Sequence, residues 1–150
     1  MGVRMATKDI LEPSLEMLGM APYKPKKTEE YMSAKMRAHF TKILTLLRKQ
    51  IMEEADRTVH HMQDDAVNYA DPNDRASQEE EFRLELRARD RERKLLKKIE
   101  ESLQLLADNE YGYCEVCGVE IGLRRLEARP TATLCIDCKM LDEIREKQQG

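Results

Sequence analysis

Residues 33–69 read SAKMRAHFTKILTLLRKQIMEEADRTVHHMQDDAVNY and contain neither Pro nor Gly. Apolar side chains recur along this run every three or four residues, which is the spacing of one face of an α-helix. The run therefore predicts one long amphipathic helix. Its apolar stripe consists of Met36, Phe40, Ile43, Leu47, Ile51, Ala55, Val59, Met62, Ala66 and Tyr69.

A second helix is predicted from about residue 75 to residue 107, after a break at residues 71–74 (DPND). Asp74 is a favourable N-cap for this helix. Because a short turn joins two helices of similar length, they are expected to form an antiparallel hairpin, with residue i opposite residue 144 − i. The second apolar stripe consists of Phe82, Leu86, Leu96, Ile99, Leu103 and Leu106.

Opposite charges favour the same pairing. Residues 53–65 carry a net charge of −4, and residues 82–99 carry +5. Arg89 and Arg93 occupy stripe positions, where their stems can cover apolar surface while their charged ends meet Glu53 or Glu54. The middle of the hairpin is expected to be held partly by charge, each exposed pair contributing less than about 1 kcal/mol.

The composition restricts the class of protein. Charged residues make up 37% of the 150 residues and aromatic residues 5%, with 6 Gly and 5 Pro. Long solvated helices fit these proportions, whereas a large sheet or barrel needs more β-branched and aromatic residues and more turns. The net charge of −3 gives no overall basic field to attract nucleic acid or an anionic membrane. Glu12, Pro13 and Glu16 interrupt the apolar residues near the start, so neither a secretion signal nor a membrane span is expected, and a cytoplasmic location is predicted.

All four cysteines fall in two pairs, Cys114-x-x-Cys117 and Cys135-x-x-Cys138, with seventeen residues between them. A tight turn can place both thiolates of a pair on one ion, and the intervening loop brings the second pair to complete a tetrahedron. The spacing therefore predicts one structural zinc ion. Four thiolates leave no open position for water, so zinc catalysis is not expected, and no nucleophile with a matching base indicates an enzyme. A redox role is the weaker interpretation, since no βαβ pattern surrounds either pair.

The predicted fold is mainly α, with three segments. Residues 1–32 form an N-terminal arm with a short helical piece around residues 8–18, and residues 33–108 form the antiparallel coiled coil, with its turn at 70–76. Residues 109–150 form a zinc finger and a C-terminal helix, which Leu141 and Ile144 are expected to pack against the finger. A small core beside the metal is expected from Ile121, Leu123, Leu126 and Leu134, and ordinary surface or packed roles from His39, His60 and His61.

The turn of the hairpin is more acidic than capping requires. Residues 71–81 carry five negative charges and one positive charge. The electrostatics of a helix N-terminus account for Asp74 and the glutamates, but not for Asp71. The hairpin is therefore either a structural rod or a support that carries acidic groups at its end.

Basic residues leave two further alternatives open. Lys97 and Lys98 are expected near residues brought in by the zinc, and converging cations can bind a polyphosphate anion, although a solvated basic face explains them equally well. The zinc finger contacts either nucleic acid or protein; because it lacks a helix rich in Arg, Asn or Gln, a protein interface is favoured. Its phosphate contacts in the nucleic-acid case would be Arg124, Arg125, Arg129 and Lys139.

Three stretches together resemble the DksA/TraR family of four-cysteine zinc-finger transcription factors. They are residues 71–76 (DPNDRA), 87–99 (RARDRERKLLKKI) and 111–139 (YGYCEVCGVEIGLRRLEARPTATLCIDCK). The resemblance covers about residues 29–147, and it is specific because the acidic turn, the basic helix and the cysteines occur in the family's order and separation.

The resemblance implies a monomeric regulator that binds RNA polymerase directly, without DNA, by inserting its coiled coil into the secondary channel. It implies that Asp71, Asp74 and Ala76 act at the tip near the catalytic centre, inhibiting stable-RNA promoters and activating some amino-acid biosynthesis promoters. A zinc-finger regulator that binds DNA is the alternative. The alarmone ppGpp is implied to bind between the protein and polymerase, through Lys98, Arg129, Lys139, Arg91 and Leu95.

Overall fold

A computed structural model describes residues 15–65 and 72–149, without the side chains of residues 58–65 and 72–74. It contains four helices, α1 (Ala34–Asp65), α2 (Pro72–Ala107), α3 (Leu123–Ala128) and α4 (Ile136–Gln149). The described residues contain no strand, although an isolated antiparallel bridge pairs Tyr113 with Glu120. The prediction of a mainly α fold with two long helices is confirmed. Within the part of the chain that is described, no helix has the length and apolar character needed to cross a membrane.

The starts of the two long helices follow from local chemistry. Ser33 precedes α1, and its Oγ accepts a hydrogen bond of 3.3 Å from the Met36 N–H, as an N-cap does. The second helix begins at Pro72, so the prediction that Asp74 is its N-cap is wrong. Pro is favoured at the first helical position because its missing N–H has no partner there in any case. Asp74 therefore lies inside the first turn, where the helix dipole favours a negative charge.

The chain forms two compact units. The first, here the cysteine unit, comprises Met1–Leu47 and Glu101–Gly150; the second, the hairpin unit, comprises Arg48–Glu100.

The core of the cysteine unit combines α1 with the segment around the cysteines. Phe40 is fully buried, and its ring lies 5.5 Å from the ring of Tyr111. The Tyr111 hydroxyl donates a hydrogen bond of 2.7 Å to the Pro130 carbonyl. Leu126 on α3 is also fully buried. The predicted packing of Leu141 and Ile144 is wrong, because these side chains on α4 are 54% and 50% exposed.

The arm is held to the start of α1 by Glu29. Its carboxylate accepts hydrogen bonds of 2.5 Å from both Ser33 Oγ and the Tyr23 hydroxyl, and one of 3.1 Å from the Lys26 N–H. Ser33, then Tyr23 and the Lys26 N–H, lower the pKa of Glu29 to about 2. Of the predicted helical piece at residues 8–18, the described part forms a hydrogen-bonded turn instead, and residues 8–14 lie outside the description.

In the hairpin unit, Ile51 of α1 and Ile99 of α2 are buried. The Oε2 atom of Glu92, on α2, is buried without a hydrogen-bond partner among the described residues. Burial and then the negative charge of Glu54 raise the pKa of Glu92, against the opposite effect of nearby arginines.

Two ion pairs at Asp90 lie within α2 itself. Arg93 forms an ion pair of 2.6 Å with Asp90, three residues earlier on the same helix. Lys94 also pairs with Asp90, at 3.1 Å. These contacts lower the pKa of Asp90, with the hydrogen bonds from Lys94 and Arg93 as the main causes. The Arg93 side chain thus meets an acid on its own helix.

Candidate metal centre

The first cysteine pair lies in a narrow loop. The Cys114 N–H donates to the Val119 carbonyl at 2.8 Å, and the Gly118 N–H donates to the Cys114 carbonyl at 2.9 Å. Gly118 has a φ of +80°, a conformation that glycine adopts without steric cost. The turn from Cys114 to Gly118 therefore directs the thiols of Cys114 and Cys117 to one side.

The second pair lies at the start of α4. Cys135 immediately precedes the helix and Cys138 lies in its first turn, where the Lys139 N–H donates to the Cys135 carbonyl at 2.9 Å. Residues three apart lie on the same face of a helical turn. Both thiols of this pair can therefore reach one ion.

The four thiols are free and converge on one point, as the sequence predicts. Their Sγ atoms all lie within 4.8 Å of one another, and those of Cys117 and Cys135 are 3.6 Å apart. A tetrahedral zinc ion with bonds of about 2.3 Å separates its sulfurs by about 3.8 Å. The arrangement fits a zinc ion bound by four cysteines.

Electrostatics explains why a cation suits this cluster. The pKa of Cys138 is raised to about 12, first by its hydrogen bond with the Cys135 thiol and then by burial and the thiols of Cys114 and Cys117. Burial also opposes ionisation of Cys114, but backbone N–H groups of Cys117, Cys135 and Val116 outweigh it and lower its pKa to about 6. Ionising all four thiols beside one another is unfavourable because the thiolates repel one another. A divalent cation offsets that repulsion.

A buried carboxylate connects the finger with the rest of the cysteine unit. Glu127 on α3 is 5% exposed. It accepts hydrogen bonds from the Tyr23 N–H at 2.7 Å and from Arg124 Nη1 at 2.6 Å, and its Oε2 lies 2.9 Å from His39 Nε2. The sequence leaves a surface or a packed role open for His39 and does not predict its contact with Glu127. The only sequence signal of the Glu127 contacts is a charged residue next to the apolar Leu126.

The other predicted site residues are divided between the two units. In the hairpin unit, Ala76 and the Asp74 backbone lie in the first turns of α2, whereas Asp71 falls outside the described residues. The hairpin unit also contains the exposed Arg91 and Lys98 and the partly buried Leu95. Arg129, after α3, and Lys139, on α4, are partly buried in the cysteine unit.

Two of the arginines suggested for phosphate contacts are engaged within the protein. Arg124 pairs with Glu127, and the Arg125 Nε donates a hydrogen bond of 3.1 Å to the Leu134 carbonyl. Contacts with DNA phosphates use cations whose charge is free to meet them. Arg125 is therefore the less available of the two for such a contact, since the Arg124 side chain is 65% exposed.

Two long helices in a hairpin and a finger with four cysteines around one zinc position define a helical zinc-finger protein. The family model for the N-terminal domain of DnaK suppressor protein DksA matches residues 36–106. The model for the prokaryotic dksA/traR C4-type zinc finger matches residues 109–143. The chain belongs to the DksA/TraR family, and its four cysteines form the site of one zinc ion.

Similar proteins extend over nearly the whole chain. It is 64% identical over 136 residues to RNA polymerase-binding transcription factor DksA of Escherichia coli K12, covering 91% of this chain and 90% of that protein. The protein of the same name from Haemophilus influenzae is 63% identical over 134 residues, covering 89% and 92%. The structure of transcription factor DksA2 from Pseudomonas aeruginosa matches with a TM-score of 0.74 and 38% identity, covering 88% of this chain and 97% of that one.

Proposed function

We propose that this chain is a transcription regulator that binds RNA polymerase directly and extends its coiled coil into the secondary channel. The observation that carries the proposal is 64% identity, over 91% of the chain, to a protein named as an RNA polymerase-binding transcription factor. The match includes the two long helices and the finger. The regulator acts as a cytoplasmic monomer, without direct DNA binding and without catalysis of its own.

The acidic tip, defined as Asp71, Asp74 and Ala76, acts near the catalytic centre of polymerase. Ala76 is exposed, and Asp74 lies in the first turn of α2. A factor that binds the competing states of polymerase more tightly than the open promoter complex shifts the population towards those states. Short-lived open complexes at stable-RNA promoters are the most affected, and some amino-acid biosynthesis promoters are activated.

The variant Asp74→Asn tests the tip. It removes the charge and keeps the size of the side chain, so we expect normal polymerase binding but no inhibition of a stable-RNA promoter in transcription with purified components. Glu79→Gln is the matched control, because it removes an exposed charge from the same helix and is expected to change neither property. Loss of polymerase binding in Asp74→Asn alone would make the tip an anchor and would contradict this role.

The alarmone ppGpp binds at the interface with polymerase. Guanidinium and ammonium groups are suited to phosphates, and Arg91 and Lys98 are exposed on α2. The remaining residues assigned to this contact are Leu95, Arg129 and Lys139.

Adjacent lysines distinguish a specific ppGpp contact from a general basic face. Lys97 and Lys98 are both exposed, but only Lys98 is assigned to ppGpp. Lys98→Ala should reduce the added effect of ppGpp and leave the effect without ppGpp unchanged, whereas Lys97→Ala should respond like the wild type. Equal losses in both variants would indicate a diffuse basic surface. A gel shift with promoter DNA and no polymerase tests the DNA-binding alternative, and retention that falls steeply with salt would support it.

A further inference from the structure

The loop that carries the first cysteine pair is closed at its neck by backbone contacts. Tyr113 forms a bridge with Glu120, and the Ile121 N–H donates a hydrogen bond of 2.9 Å to the Gly112 carbonyl. Gly112 takes part in that bond, and Gly122 follows Ile121 directly in the chain. Both glycines have positive φ angles, +99° and +102°.

The hydroxyl of Tyr31, a residue of the arm, lies in this neck. It donates a hydrogen bond of 2.8 Å to the Gly112 carbonyl and accepts one of 3.0 Å from the Gly122 N–H. It thus links the two ends of the loop. Burial is the main cause of a raised pKa for Tyr31, so the hydroxyl stays protonated and can donate.

Further contacts fix the Tyr31 side chain. Its ring meets the ring of Tyr113 edge-on, with centroids 5.5 Å apart. The neighbouring Met32 side chain fills the space beside Gly112, where an added Cβ would lie 3.0 Å from Met32 Cγ. The arm therefore contacts the neck of the loop through two consecutive residues.

We propose that Tyr31 is a positioning residue for zinc, whose hydroxyl fixes the neck of the loop and so keeps Cys114 and Cys117 in place on the metal. Zinc leaves a four-cysteine site only when ligands separate from it, and a loop that stays closed holds this pair in the geometry that binds the ion. Opening breaks both hydrogen bonds of the Tyr31 hydroxyl. The arm thereby slows zinc release, a role that does not depend on polymerase binding.

The test measures the rate of zinc release from the full-length wild type and from variants. Each zinc-loaded protein is mixed with an excess of a chelator that changes colour when it binds zinc. Tyr31→Phe keeps the ring and removes both hydrogen bonds, so release should be about 5- to 30-fold faster, the factor for losing one or two net hydrogen bonds. Tyr23→Phe is the matched control, because it removes an arm hydroxyl that binds Glu29 and not the loop. Its release rate should equal that of the wild type, and equal rates for Tyr31→Phe and the wild type would overturn the proposal.

Amide hydrogen exchange on the zinc-loaded chain separates a local effect from unfolding. In Tyr31→Phe the Gly122 N–H should exchange faster, while the amides around Phe40 keep their protection. The absorption spectrum of the cobalt-substituted protein should match that of the wild type, since all four thiolates still bind. Loss of protection around Phe40 as well would show that the hydroxyl supports the core rather than the loop, and would overturn the proposal.

Discussion

Replacing Glu127 by Gln probes the buried junction of the arm, α1 and α3. The carboxylate is 5% exposed and has three hydrogen-bonding neighbours, Tyr23, His39 and Arg124. A buried hydrogen bond to a charged group contributes about 1.5–3 kcal/mol. The pair with Arg124 contributes less than about 1 kcal/mol, because the Arg124 side chain is 65% exposed. Gln retains one acceptor oxygen and presents an N–H to the remaining donors. The free energy of unfolding should fall by about 2–4 kcal/mol.

Urea unfolding of the zinc-saturated chain, followed by circular dichroism, measures this loss. With a slope of about 2 kcal/mol per molar, the midpoint should fall by about 1–2 M at an unchanged slope. Glu110→Gln is the matched control, since Glu110 is exposed in the same unit and its loss should change stability by less than about 0.5 kcal/mol. A Glu127→Gln midpoint equal to that of this control would refute the assignment of Glu127 as a buried junction.

Three further predictions concern the hairpin, the core and the metal. The raised pKa of Glu92 means that the folded state binds a proton at this carboxylate more readily than the unfolded state does. Proton binding at Glu92 therefore stabilises the fold at acidic pH, and this contribution is lost as pH rises through the folded pKa. Glu92→Gln should therefore raise the thermal midpoint at pH 7 and flatten its dependence on pH between about 4 and 7, in scanning calorimetry. Phe40→Ala removes a fully buried ring and should lower the free energy of unfolding by about 3–5 kcal/mol in urea titrations. Cys138→Ser should abolish stoichiometric zinc in elemental analysis and reduce helicity in circular dichroism by the share of α3 and α4.

Each of these variants has a control and a contradicting result. Glu53→Gln removes an exposed acid of α1, and an equal pH response in both Gln variants would show that Glu92 is not specifically unfavourable. Phe82 is 39% exposed, and a Phe82→Ala loss as large as that of Phe40→Ala would contradict the assigned core. Full zinc content in Cys138→Ser would exclude a site that needs all four cysteines.

Features with local signals could be predicted from the sequence. The apolar period of α1 and the spacing of the two cysteine pairs are visible within short windows, and both predictions are confirmed. Helix ends are less certain, because Pro72 as a first helical residue and Asp74 as an N-cap are both chemically sound. Local chemistry alone therefore does not decide between these two starts.

The connections of the arm had no such local signal. Tyr23 and Glu127 are 104 residues apart, and Tyr31 and Gly122 are 91 apart. Their hydrogen bonds depend on how the arm, α1 and the finger pack against one another. Residue patterns within one segment do not encode that packing. The apolar pattern of α4 likewise predicts a helix with an apolar face, but it cannot tell whether the core has room for Leu141.

Crosslinking from the tip tests the central claim of an acidic tip inside polymerase most directly. A photoreactive amino acid at the exposed Arg75, adjacent to Asp74, should crosslink to polymerase residues around the catalytic magnesium. The same probe at the exposed Lys147 on α4 should not reach them. Crosslinks from position 75 confined to the outer surface of polymerase, with binding intact, would contradict the account.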